Sequence, residues 1–184
     1  MKFTSSLVLV AAAVGVVAVY MTSASGQSDG EAAPIYGIKI PEGFRDWHLI
    51  SVKRLTDQAG KLHQLRAELS NDLATAAFRD GKLPFPDGAI IAALHWNEAS
   101  SDADDAALAA GFPGQGLRST FAGSAMNVQF MVKDSKKYAA SGGWGYADFA
   151  NGKPGNQALH ETCFPCHAPA KDRDYVFTRY APTP

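Results

Sequence analysis

The sequence predicts an α+β domain, mainly antiparallel β-sheet with a few short helices. Three observations carry that expectation. Two-residue alternation marks 64–69 and 126–133, a short and nearly apolar run fills 89–96, and Gly- or Pro-rich breaks separate these stretches. Composition sets the outer bounds. The chain has 184 residues, 46% hydrophobic and 19% charged, which is the profile of an ordered protein. Lys plus Arg (17) and Asp plus Glu (18) nearly cancel, which argues against nucleic acid as a partner. Two cysteines are too few for a disulfide scaffold.

The N-terminus reads as an address. Lys2 precedes an unbroken apolar run, Leu7–Met21, and Ala24-Ser25-Gly26 fits a small-x-small cleavage site before Gln27. Residues 1–26 are therefore expected to be a signal peptide. An uncleaved N-terminal membrane anchor is the competing reading. Both place the remainder outside the cytoplasm, with the periplasm as the expected compartment. Residues 27–37 follow as a linker, and 38–184 as one domain, large enough to hold a core without staples.

Taken in order, Ile38, Ile40, Trp47, Leu49, Ile50 and Val52 form a strand-like stretch broken by Pro41 and Gly43. Leu65, Ala67 and Leu69 alternate with Gln64, Arg66 and Glu68, the period of a half-buried strand. Asn71 is the expected N-cap of a helix over 72–79, stopped by Asp80-Gly81. A turn at Pro84–Gly88 leads into the buried strand 89–96. Residues 100–116 read as a loop with a helical turn near 104–110. Met126, Val128, Phe130 and Val132 then alternate with Asn127, Gln129, Met131 and Lys133, the clearest strand in the chain. Gly142–Tyr146 breaks any helix, and 156–163 is expected to be helical, running into the cysteines.

Chemistry concentrates at Cys163-Phe164-Pro165-Cys166-His167, a C-x-x-C-H motif. Two thiols at this spacing reach the two vinyl groups on one edge of a haem, and the adjacent His lies under the iron as its proximal ligand. One covalent haem c per chain is the expectation, held by Cys163, Cys166 and His167. Competing readings are a thiol redox pair, a zinc site completed by His160, and a structural disulfide. No Met or His follows His167. A strong sixth ligand must therefore come from upstream: His48, His63, His95, His160, Met126 or Met131. Otherwise the iron is five-coordinate and open to a small ligand.

These residues resemble the cytochrome P-460 family, which includes the cytochromes c′-beta. The marks are Trp47, the Arg66 strand, Phe85-Pro86-Asp87-Gly88, Val132-Lys133-Asp134, Gly143-Trp144, the C-x-x-C-H motif and Val176-Phe177-Thr178-Arg179-Tyr180, in that order. The resemblance implies an antiparallel sheet with a haem on one side, a homodimer, and a five-coordinate iron bound by His167. Hydroxylamine-oxidising members carry a lysine bonded to the porphyrin. Counting from Asp87-Gly88 places that position at Ala93, and no lysine occurs between Lys82 and Lys133. This departure moves the reading toward the c′-beta side, which binds nitric oxide. Arg66 matches the family's distal-pocket arginine, whose guanidinium would donate hydrogen bonds to an iron-bound ligand. By alternation His95 shares a face with Ala93, and Phe85 is an apolar candidate beside the pocket.

Two functions follow. One is a gas-binding haem protein for nitric oxide or a related small ligand. The other is an oxidoreductase acting on hydroxylamine, nitric oxide or peroxide. It would need a redox-partner cytochrome and a distal base, for which His95 or Glu68 would serve.

Overall fold

The computed structural model describes residues 30–182, so the signal-peptide segment 1–26 lies outside the described residues. Six antiparallel strands form one sheet in sequence order. They are β1 (His48–Leu55), β2 (Gln64–Ser70), β3 (Ile90–Ala99), β4 (Phe121–Lys133), β5 (Trp144–Ala150) and β6 (Lys153–Pro154). Four short helices decorate it: α1 (Asp72–Asp80), α2 (Asp102–Gly111), α3 (Gln157–Glu161) and α4 (Cys163–His167). The fold is mixed α+β, as the alternation implied.

Register decides which residues share a face, because directly paired residues point the same way and neighbours along a strand point oppositely. The front face is built of three cross-strand rows. The first is Lys53, Arg66, His95 and Asn127; the second is Ser51, Glu68, Ala93, Gln129 and Asp148; the third is Ser70, Ile91, Met131 and Tyr146. The rows thus run from charged to apolar across one surface. The back face presents Leu69, Ala92, Phe130 and Ala147 in a single row. It is closed by Ala33, Ile38, Phe44 and Tyr138, with the Phe44 and Phe130 rings edge-on at 5.1 Å. Within 30–37, expected as linker, Ala33 is packed: it is 1% exposed and its N–H donates to Ile38 O at 2.7 Å, while Ile35 stays exposed.

The front face carries the second core. Ile50, Ala74, Ala77, Phe85, Ile91, Met131, Trp144, Tyr146 and Val176 meet there. Helix α1 lies across it because Asn71 accepts from Ala74 N at 3.1 Å and Gly81 closes the far end in the left-handed region. The cap and the stop residue both match the sequence expectation.

Two expectations need correction, and a third is met while leaving a strand unread. Only 48–55 of the first strand-like stretch is strand; Pro41 and Gly43 (φ 68) break what precedes it, and Ile38 and Ile40 reach the back-face core from irregular chain. The helical turn near 104–110 is a full helix from Asp102, capped by Ser101 accepting from Asp104 N. The glycine-rich stretch 142–146 does break the helix, as expected, and what goes unread is that it opens β5, whose residues Trp144–Phe149 are all buried. Burial on both faces erases the two-residue alternation by which a strand is read.

Candidate functional site

A cleft of about 280 Å³, open to solvent on one side, lies between the front face and α3–α4. That is the lower end of the size range of small-molecule sites. Cys163, Cys166 and His167 line one wall, and Lys53, Arg66, Glu68, Ala93, Met131 and Tyr146 line the sheet wall. The motif and the family-matched arginine therefore open into the same space.

The motif sits on α4, which follows α3 almost without interruption. Asn156 caps α3 by accepting from Leu159 N at 2.9 Å. His160 then ties α3 to the sheet. Its Nδ1–H donates to Asn156 O at 2.8 Å and its Nε2 accepts the Asp148 N–H at 3.1 Å. Both ring nitrogens are spent, and the side chain is fully buried. His160 is thus a structural histidine with no lone pair left for a metal.

His167 is arranged differently. Its Nδ1 lies 2.7 Å from the carbonyl of Tyr175. A carbonyl only accepts, so Nδ1 carries the proton and Nε2 keeps its lone pair. This is the tautomer a metal-ligating imidazole requires, with the outer hydrogen bond that normally fixes it. The ring is flanked by Tyr146 at 4.9 Å and Phe177 at 5.2 Å. Burial lowers its pKa, against the opposing pull of the Tyr175 carbonyl, so the neutral form is favoured.

The thiols fit attachment better than the alternatives. Both cysteines are free. Burial, helped by Asp148 and Cys166, pushes the Cys163 thiol up to about 11, opposite to the depressed value of a redox-active cysteine. Among the described residues, no three His, Cys, Asp or Glu converge on a point that would hold a metal ion. With His160 committed elsewhere, the zinc reading loses its fourth ligand.

The sheet wall carries buried polar groups. Glu68, 2% exposed, forms an ion pair with Lys53, and its Oε2 has no hydrogen-bond partner among the described residues. Arg66 is half-buried; its Nη2 donates weakly to Gln64 at 3.4 Å and its Nε has no partner. Burial lowers the Arg66 pKa, with Glu68 opposing. Tyr146 also lines the cleft with an unpartnered hydroxyl, held neutral by burial. Unsatisfied buried donors and acceptors of this density mark a place shaped for something else to complete.

The remaining sequence candidates are dispersed. His95 is on the front face beside Arg66, 4% exposed, but is not among the residues lining the cleft. Phe85 lies in the core against Phe78 and Trp144, at 4.8 and 5.6 Å. His48 pairs with Asp72 at 3.0 Å, and His63 with Gly60 O and Glu98 at 2.7 and 3.2 Å. Of the possible sixth ligands, Met131 lines the cleft and Met126 does not. Ala93 does line it, so the position counted for a cross-linking lysine faces the cleft and presents a methyl group.

Sequence reasoning passed over Lys53, Asp148, Phe177 and the Tyr175 carbonyl. Lys53 joins the site only through the β1–β2 register, which pairs it with Arg66. A backbone carbonyl leaves no trace in residue identity.

No curated protein matches the chain at a significant level. The family described as Cytochrome P460 matches residues 41–178, a span from the approach to β1 through all six strands and the cysteine motif to the cleft residue Thr178. The chain belongs to the cytochrome P460 family.

Proposed function

We propose that this chain is a periplasmic mono-haem c-type cytochrome. Cys163 and Cys166 would hold the haem covalently, and His167 would ligate its iron, leaving it five-coordinate and open to a small ligand such as nitric oxide. The observation that carries this reading is His167. It follows the cysteine pair on one helix, lines the cleft, and has its Nδ1–H tied at 2.7 Å to Tyr175 O so that Nε2 is free. When bound, haem would supply an iron able to take a small ligand.

The protein's own residues shape that position. Ile91, Ala93, Met131 and Phe177 give the cleft apolar walls that favour uncharged ligands. Arg66 offers a guanidinium N–H without a partner, suited to a bound oxygen or nitrogen atom. Ala93 offers no amine, which supports ligand binding on an unmodified porphyrin.

A second reading is favoured by one specific feature. Glu68 lines the cleft near Arg66 with a buried, unpartnered carboxylate oxygen. A base beside a donor is what hydroxylamine, nitric oxide or peroxide chemistry needs for proton transfer. In that case a redox-partner cytochrome exchanges electrons with the protein. In either reading the working unit is a homodimer.

The test is the absorption spectrum of the chemically reduced, haem-loaded protein. A broad high-spin spectrum of ordinary c-type haem supports the open iron. A strongly red-shifted Soret band indicates a modified porphyrin and favours the oxidase. Sharp low-spin bands mean that a residue such as Met131 closes the iron, and the protein is an electron carrier.

A further inference from the structure

We propose that the buried Lys133–Asp174 ion pair is a positioning device for His167, acting through the backbone carbonyl of Tyr175. The proposal rests on the reading of His167 as the iron ligand. Asp174 and Lys133 side chains are 8% and 5% exposed. The Asp174 carboxylate accepts from Lys133 Nζ at 2.7 and 2.8 Å and from Phe85 N at 2.9 Å. Lys133 Nζ also donates to Gly142 O at 3.3 Å and lies 5.0 Å from the Trp144 ring centre. One carboxylate thus joins the end of β4, the segment after α1 and the C-terminal chain.

The backbone at this point is held in an uncommon conformation. Asp174 and Tyr175 have φ of 51° and 64°, consecutive left-handed residues that are not glycine. Such geometry persists only where the surroundings over-determine it. Its consequence is a reversal that sends the Tyr175 N–H to Ala170 O at 2.9 Å and the Tyr175 carbonyl to His167 Nδ1 at 2.7 Å. The Tyr175 ring meanwhile covers Gly142, where a Cβ would overlap it. The pair and the hydrogen-bond acceptor of the imidazole are therefore one residue apart on a strained turn.

A buried ion pair is a poor source of net stability, since the attraction roughly offsets desolvation. What this pair contributes is a fixed direction for one carbonyl. Without it the turn relaxes, the carbonyl withdraws from Nδ1, and the imidazole donates less electron density to whatever Nε2 binds.

The experiment uses the haem-loaded protein, reading the iron–histidine stretching band by resonance Raman spectroscopy of the ferrous form, together with the reduction potential. Asp174→Asn should move the band to lower frequency, broaden it and raise the potential. Lys133→Met combined with Asp174→Asn removes both charges, leaves no buried ion unpaired and keeps a residue tolerant of the left-handed turn. It should give the same shifts even where the single variant fails to fold. Lys133→Arg, which keeps the pair, should restore wild-type values. An unmoved band and potential in the neutralised protein overturn the proposal, as does an equal shift in Lys133→Arg. His167→Ala separates the two levels: loss of the band upholds His167 as ligand, and its persistence overturns that reading and the proposal together.

Discussion

His95 shows what the charged row of the front face costs a buried residue. It is 4% exposed, paired across strands with Arg66, and its Nε2 has no partner among the described residues. Burial, with cationic Arg66 and Lys53 adding to it, lowers its pKa from 6.5 to about 4. Between these values the unfolded chain binds a proton that the folded one refuses. The contribution to stability is therefore complete above pH 6.5 and is lost as the pH falls toward 4. The full shift corresponds to somewhat more than about 3 kcal/mol, of which roughly 2–3 kcal/mol is lost by pH 4.5. Urea unfolding of the wild type and of His95→Gln, at pH 7.5 and 4.5, should show the wild type losing about that much more. Parallel losses in the two proteins would count against a neutral buried His95. Arg66 makes a different prediction at the same scale. If its free N–H serves a bound ligand, Arg66→Ala should weaken binding of a polar ligand by about 10–100-fold. Carbon monoxide, a poor acceptor, should bind nearly as before. Titration of the reduced protein with both ligands measures the contrast, and equal losses would place Arg66 outside the ligand's reach.

At the scale of elements, Asn71 ties a helix, a strand and a turn together through one side chain. Its Oδ1 accepts from Ala74 N at 3.1 Å and from Ile90 N at 3.0 Å, and its Nδ2 donates to Gly88 O at 2.8 Å. It caps α1 and pins the start of β3 with one amide. Asn71→Ala should cost about 2 kcal/mol, a cap plus the desolvated Ile90 N–H, read from the urea midpoint. A loss under about 0.5 kcal/mol would mean that water replaces all three bonds. The cap was legible because Asn precedes a helical pattern that Gly81 ends. Strands β2 and β4 were legible because each has one apolar face. Strand β5 was not, since Tyr146 and Asp148 face the cleft while Ala147 and Phe149 face the opposite core, and all four are buried. The site divides along the same line. Cys163, Cys166 and His167 are adjacent in sequence and announce themselves. The meeting of Lys53, Arg66, Glu68 and Ala93 depends on strand register, which residue spacing within one strand does not fix.

For the molecule as a whole, the C-terminal chain acts as a strap between parts of the fold that sequence keeps far apart. Asp174 reaches Phe85 and Lys133, Val176 enters the front core at 2% exposure, and Tyr180 stacks on Phe78 of α1 at 6.2 Å. Ala181 N then donates to Ile50 O at 2.8 Å, the position where the β1–β2 register shifts between Leu49 and Ser51. The irregularity in β1 thus leaves a carbonyl that the strap satisfies. Phe177, on the same segment, touches the His167 ring and lines the cleft. A chain ending at Tyr175 keeps every strand and the cysteine motif, but the Tyr175 carbonyl that holds His167 becomes the terminal carboxylate. It loses the burial of Val176, the cover of Tyr180 on Phe78 and the Ala181 hydrogen bond, together about 4 kcal/mol. That is a large share of the roughly 5–15 kcal/mol that a domain holds in reserve. The truncated protein should therefore unfold at a clearly lower urea concentration and be cut by protease far faster under native conditions, first at the freed face of α1. Stability within about 1 kcal/mol of the full chain would show that the sheet and α1 carry the front core alone, with the strap only laid over it.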